Sequence, residues 1–259
     1  MATTMTQEDA GRGTAGRAAG EGRFFIAMAV ACAAIAILGF APGYWVPLAT
    51  GSIKANPAVH LHGFIFSAWA LFFVFQVWLA ESRQFRRHRT MGLISVSFTT
   101  LMIVFGAMAA INLMKSAAAV GQAEAGRAFA IVPLGGILFF AAVFAWAAAN
   151  VRHTDWHKRL MLVAAISILD APIARVLMLI VPPPAGAVGP PPVAVDIVPS
   201  IVTLLMISFA AIYDWRTRGA LHPAYLWSGG ALLVVKLLQG PISGTAAWHA
   251  VAGAVLGLG

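Results

Sequence analysis

Charge is scarce in this chain of 259 residues: Asp, Glu, Lys and Arg make up 10% of it, against roughly 25% in soluble domains. So few charges cannot cover the surface of a water-soluble globule, and that class is excluded. There is one cysteine, Cys32, which excludes an intrachain disulfide and a cysteine-based zinc cluster. The Gly-x-x-x-x-Gly-Lys-Ser/Thr phosphate loop, the Gly-x-Ser-x-Gly elbow and the His-Glu-x-x-His zinc helix are all missing, so soluble nucleotide-driven and protease-type chemistry lack their parts.

What is abundant is apolar: 60% of the residues are hydrophobic, gathered into runs long enough to cross a bilayer as helices, which takes about 20 residues each. The runs fall at residues 24–41, 58–80, 91–114, 128–150, 160–181 and 193–213, with a last one opening at Ala224. The expected fold is an all-α, polytopic membrane bundle of seven transmembrane helices, the last broken near Gly240-Pro241 because proline cannot continue the ladder. Residues 1–23 have no apolar periodicity and are expected to form a disordered cytoplasmic tail ahead of a helical domain at 24–259.

The net charge of +8 points to membrane orientation and not to nucleic acid, because the basic residues form short caps between apolar runs. The tail and the second, fourth and sixth loops hold twelve Lys or Arg, whereas the opposite side holds three, Lys54, Lys115 and Arg127. By the positive-inside rule the N-terminus is cytoplasmic, and the expected location is a bacterial cytoplasmic membrane with the lipid bilayer as partner. The uncharged PPPAGAVGPPP connector at residues 182–192 reads as structural. An offset of 69 residues superposes the loop after span two on the loop after span four, matching Arg83 with Arg152, His88 with His157 and Arg89 with Lys158. The pattern is that of a repeated helical hairpin.

Several residues in these runs can carry chemistry. Span two opens with His60, Leu61, His62 and Gly63. Helical positions two apart point about 200° away from each other, so one imidazole of the two faces the bundle, and the stripe His62, Trp69, Gln76, Arg83 selects His62. Two readings stand: an interfacial histidine bonding carbonyls or headgroups, or a metal or haem ligand, with His60 joining His62 on a metal only where the helix has not begun. His88 and His157 stand before spans three and five beside Arg89, Lys158 and Arg159. Their basic neighbours suit lipid phosphates. With the two hairpins side by side, however, both imidazoles lie at one depth and can clamp a haem. Span five carries Asp170, Pro172 and Arg175. Ionisable groups at this depth demand partners, and Asp170 with Arg175 is one such pairing. Lys236 in span seven, Asp196 at the end of span six and Gln76 complete the intramembrane polar set.

The sequence HLHG at His60, HRTMG at His88, HKRLMLVAAIS at His157 and DAPIAR at Asp170 resembles a group of uncharacterised bacterial seven-helix membrane proteins. The piece from His157 through Leu160 and Met161 is similar to the family of CtaM, a factor required for maturation of haem-copper cytochrome oxidase. That second resemblance implies haem- or copper-related assembly. The leading expectation is a membrane protein that binds haem b, copper or iron through His62, His88 and His157, in electron transfer or oxidase assembly alongside respiratory-chain subunits. A small proton-coupled transporter built around Gln76, Asp170, Arg175 and Lys236 is the alternative, and a structural subunit without chemistry is a third. A retinal Schiff base on Lys236 lacks a counterion, since span three has no carboxylate.

Overall fold

In lipid an apolar run has only its own backbone to satisfy its N–H and C=O groups, so each run folds as a helix. A computed structural model describes residues 7–53, 57–182, 184 and 186–257, and there is no strand among them. The helices are α1 (Gln7–Gly39), α2 (Val46–Ala49), α3 (Pro57–Glu81), α4 (Phe85–Ala119), α5 (Ala123–Phe129), α6 (Ile131–Ala149), α7 (Thr154–Ser167), α8 (Asp170–Ile180), α9 (Ile197–Arg218), α10 (Pro223–Ser243) and α11 (Ala246–Leu256), with a π-helical turn at Ala41–Trp45 and a 3₁₀ turn at Val193–Asp196. Six stretches are long and apolar enough to cross a membrane, and α10 with α11, bent by 94°, makes a seventh if counted as one span. The protein is a multi-pass helical membrane bundle.

Proline sets several of the starts, because at the first turn its missing N–H has no partner to lose. Pro57 and Pro223 open α3 and α10. In the fifth span Pro172 acts differently. It cannot donate to the carbonyl of Ile168 and its ring crowds that carbonyl, so the helix stops at Ser167 and restarts at Asp170. Chain packing closes over this break: a Cβ on Gly39 would lie 2.5 Å from the Pro172 carbonyl oxygen, so only glycine lets α1 approach here.

The core is built round α7. Leu160, Leu162, Val163, Ala164, Ala165 and Ile166 are all buried, as expected of a helix apolar on every side. Around it pack α1, α6, α9 and α10. The hairpins α3–α4 and α6–α7 meet through α4 and α6, which brings their loops to the same end of the bundle. Arg83 turns the first of these loops in the left-handed region, φ 59°. This end carries the Arg- and Lys-rich loops and is called the basic end below.

Two expectations change. The tail is helical from Gln7, continuous with α1, and Glu21 at its end is tied into the bundle by ion pairs. Residues 1–6 of that tail, and Lys54 of the orientation count, lie outside the described residues. The break expected near Gly240-Pro241 falls a few residues on. Pro241 stays inside α10, and the chain turns at Gly244 and Thr245, whose Oγ1 accepts from the Trp248 amide at 3.2 Å. Helix α11 is therefore a separate segment. It folds back on α4 and α5, where Trp248 Nε1 donates to the Arg127 carbonyl at 2.8 Å.

Candidate functional site

His88 and His157 are each the fourth residue of their helix, α4 and α7, and the two hairpins bring them together at the basic end. Their ring centroids are 6.3 Å apart with the planes at 80°. His157 Nδ1 lies 2.9 Å from the Ala147 carbonyl oxygen. A carbonyl only accepts, so the proton sits on Nδ1 and Nε2 keeps its lone pair. His88 Nδ1 lies 3.1 Å from the Gln76 carbonyl oxygen in the same way. The Gln76 side chain sits at the same place: with its amide nitrogen toward α4 it donates to the His88 carbonyl oxygen at 3.2 Å and its oxygen accepts from the Gly92 amide at 3.2 Å, while that nitrogen is 2.7 Å from His88 Nδ1. In that orientation His88 Nδ1 accepts from Gln76; with the amide turned over, its oxygen faces the His88 carbonyl oxygen and its nitrogen the Gly92 N–H. Among the described residues neither Nε2 has a hydrogen-bond partner.

Beside His157 lies an ion-pair lattice that the sequence reading missed. Arg159 is fully buried; it donates through Nε to Asp214 Oδ2 at 2.5 Å and through Nη2 to Asp214 Oδ1 at 2.9 Å and Glu21 Oε1 at 2.9 Å. Its Nη1 reaches the Asp155 carbonyl at 2.8 Å. Lys158 pairs with Glu21 at 2.8 Å, and Arg218 with Asp155 at 3.1 Å. Three carboxylates thus meet three cations across α1, α7 and α9. The lipid-phosphate role expected for Lys158 and Arg159 is corrected, because their charges are already matched within the protein. The available signal was Asp214, an acid directly after the apolar run at residues 193–213, which needs a base once buried. His222, outside the spans, caps α10 by accepting from the Ala224 amide at 3.1 Å. Burial, and then the nearby Arg159 charge, push its imidazole below the ordinary histidine value.

A second polar centre lies deep in the bundle, on the broken fifth span. Lys236 Nζ is 2.5 Å from Asp170 Oδ2 and 2.9 Å from Asp196 Oδ2. Thr203 Oγ1 is 3.0 Å from Asp170 Oδ1, and Ser200 Oγ donates to Asp196 Oδ2 at 3.1 Å. The expected Asp170–Arg175 pairing is not formed: five residues apart on a helix is about 140°, so Arg175 points elsewhere and stacks over Phe40 at 5.5 Å. Of the intramembrane polar set, the structure gathers Asp170, Asp196 and Lys236, while Gln76 belongs with His88.

The outer histidines diverge. His60 Nδ1 is 3.1 Å from the Tyr44 hydroxyl, and His62 Nδ1 is 3.3 Å from the Phe105 carbonyl oxygen. The helix has begun by Pro57, so the two rings cannot share a metal ion; the His60–His62 metal pair is corrected. His62 also stands fourteen residues, about 21 Å of helix, from Gln76, and so cannot share one ligand with His88 and His157. Among the described residues no group of three or more His, Cys, Asp or Glu is placed to hold a metal ion. No family model matches the chain, and no curated protein or solved structure matches it either.

Proposed function

We propose that this is a haem-binding membrane protein in which His88 and His157 would hold one haem, serving electron transfer or respiratory-oxidase assembly at the bacterial cytoplasmic membrane, with the basic end in the cytoplasm. The observation that carries the reading is the imidazole pair itself. The two rings, from different hairpins, lie 6.3 Å apart between centroids, close enough for both to reach one metal centre. The donor count agrees. A structural zinc needs four protein ligands and a catalytic one three, whereas a haem iron brings four ring nitrogens and needs two.

The chain's own residues supply the rest. Ala147 and Gln76 hold the Nδ1 edges, which fixes ring orientation and leaves Nε2 as the ligand atom. Ligation through His88 Nε2 requires the proton on Nδ1, where the Gln76 backbone carbonyl at 3.1 Å can accept it. Gly92, one turn beyond His88, meets nothing within 4 Å at its Cβ position and leaves that flank open for a flat macrocycle. Exposed Arg86 and Arg89 offer charge opposite to the carboxylates that haem carries. When bound, the haem supplies reversible one-electron chemistry.

The test is a reduced-minus-oxidised visible spectrum with haem quantitation on protein purified from haem-supplemented cells. One haem per chain is expected, lost in His88→Ala and in His157→Ala and kept in His60→Ala and His62→Ala. Gln76→Ala is expected to weaken haem binding by about 10–100-fold. A colourless wild type, or both ligand variants retaining full haem, overturns the reading.

A further inference from the structure

We propose that Asp170 is a proton-binding site, its carboxyl group carrying the proton beside an intact Lys236–Asp196 ion pair. The proposal is independent of the histidine site.

Charge counting comes first. Asp170, Asp196 and Lys236 are all buried, and two carboxylates against one ammonium leave a net charge of −1 inside an apolar bundle. An unneutralised buried charge is far more costly than a neutral acid, and two carboxylates sharing one site do not both ionise readily. Among the described residues, Lys236 is the one cation within ion-pair distance of either carboxylate. On the elements packed against them, Arg175 of α8 is turned over Phe40 and α6 has no ionisable side chain. The charged groups of α1, α7 and α9 (Glu21, Arg23, Asp155, Lys158, Arg159, Asp214, Arg216 and Arg218) belong to the basic end. Arg159 is eleven residues, about 16 Å of helix, from Asp170. Glu124 and Arg127 lie on α5, and His249 on α11 bonds the Ser243 carbonyl oxygen.

The hydrogen bonds around Asp170 do little to offset that charge. Thr203 Oγ1 lies 3.0 Å from Asp170 Oδ1 and 3.0 Å from the Ser200 carbonyl oxygen. A hydroxyl has one hydrogen, and a backbone carbonyl can only accept. The Thr203 hydrogen is shared between these two acceptors, so Asp170 Oδ1 receives at most one partial hydrogen bond in compensation for its burial. Oδ2 remains an acceptor for Lys236 Nζ. Loss of the proton would turn a neutral triad into a singly negative one at the point where the fifth span is broken.

The experiment is infrared difference spectroscopy on the full chain in detergent, titrated between about pH 5 and 9. A protonated-carboxyl stretch is expected at neutral pH, shifted by deuterium, lost in Asp170→Asn and lost again on raising pH. Thr203→Val is expected to keep the band and move it to higher frequency, since the carboxyl loses the Thr203 hydrogen bond; this variant, with aspartate carbon labelling, serves should Asp170→Asn not fold. Absence of a labelled aspartic-acid band across the range, or a band unchanged in both variants, overturns the proposal.

Discussion

Asp214→Ala probes how the basic end is held together. The carboxylate takes two charge-assisted hydrogen bonds from Arg159, at 2.5 and 2.9 Å, and the side chains are 1% and 0% exposed. Removing one partner of such a buried pair strands the other and costs about 3–5 kcal/mol. Glu21 and Asp155 stay beside the guanidinium and soften this toward the lower figure, about 3 kcal/mol, or a fall in Tm of about 6–12 °C for a chain of this size. Asp155 is 47% exposed, so Asp155→Ala is expected to cost about 0–1 kcal/mol, in the range of solvent-screened pairs. The assay is built into the chain: Cys32 is its one cysteine and is buried, so a thiol-reactive fluorophore reports unfolding on heating in detergent. Equal Tm values for wild type and Asp214→Ala, or equal losses for Asp214→Ala and Asp155→Ala, would refute the reasoning. Arg159→Met with Asp214→Leu is expected to recover much of the loss, since no charge is left stranded.

Two further outcomes follow from the geometry. Below about pH 6.5 the unfolded chain takes up a proton that the folded His222 ring resists, so this group lowers stability as pH falls from that value toward its depressed one and leaves stability flat above it; His222→Asn keeps a capping oxygen without titrating, and thermal unfolding at several pH values should show that component vanish. Gly39→Ala places a Cβ 2.5 Å from a backbone oxygen of Pro172, which cannot swing aside, so a loss of about 1–3 kcal/mol is expected and an unchanged Tm would contradict the close approach of α1 to the fifth-span break.

Each span was legible because a long apolar run in lipid has one backbone solution. Pro172 likewise announces a break wherever its surroundings lie, since the missing N–H and the ring clash are properties of the residue. Pro241 marks where such local reasoning fails. It rides inside α10, and the turn waits for Gly244, where Thr245 supplies a cap and α11 finds a surface to pack against.

From the sequence alone it follows that Asp170, Lys236, Asp196 and Arg175 each need a partner or an outlet, because charge in lipid is costly at any position. Their pairing is a matter of tertiary structure. It depends on how each helix is rotated and which neighbour it meets, and small-residue contacts such as Gly39 on Pro172 set both. Helical spacing turns Arg175 away from Asp170, while α10, distant in sequence, delivers Lys236. The same holds at the basic end, where Asp214 and Arg159 are 55 residues apart and no local periodicity links them. His88 and His157 are intermediate: the repeated hairpin puts them at one depth, but only the packing of α4 on α6 brings the rings together.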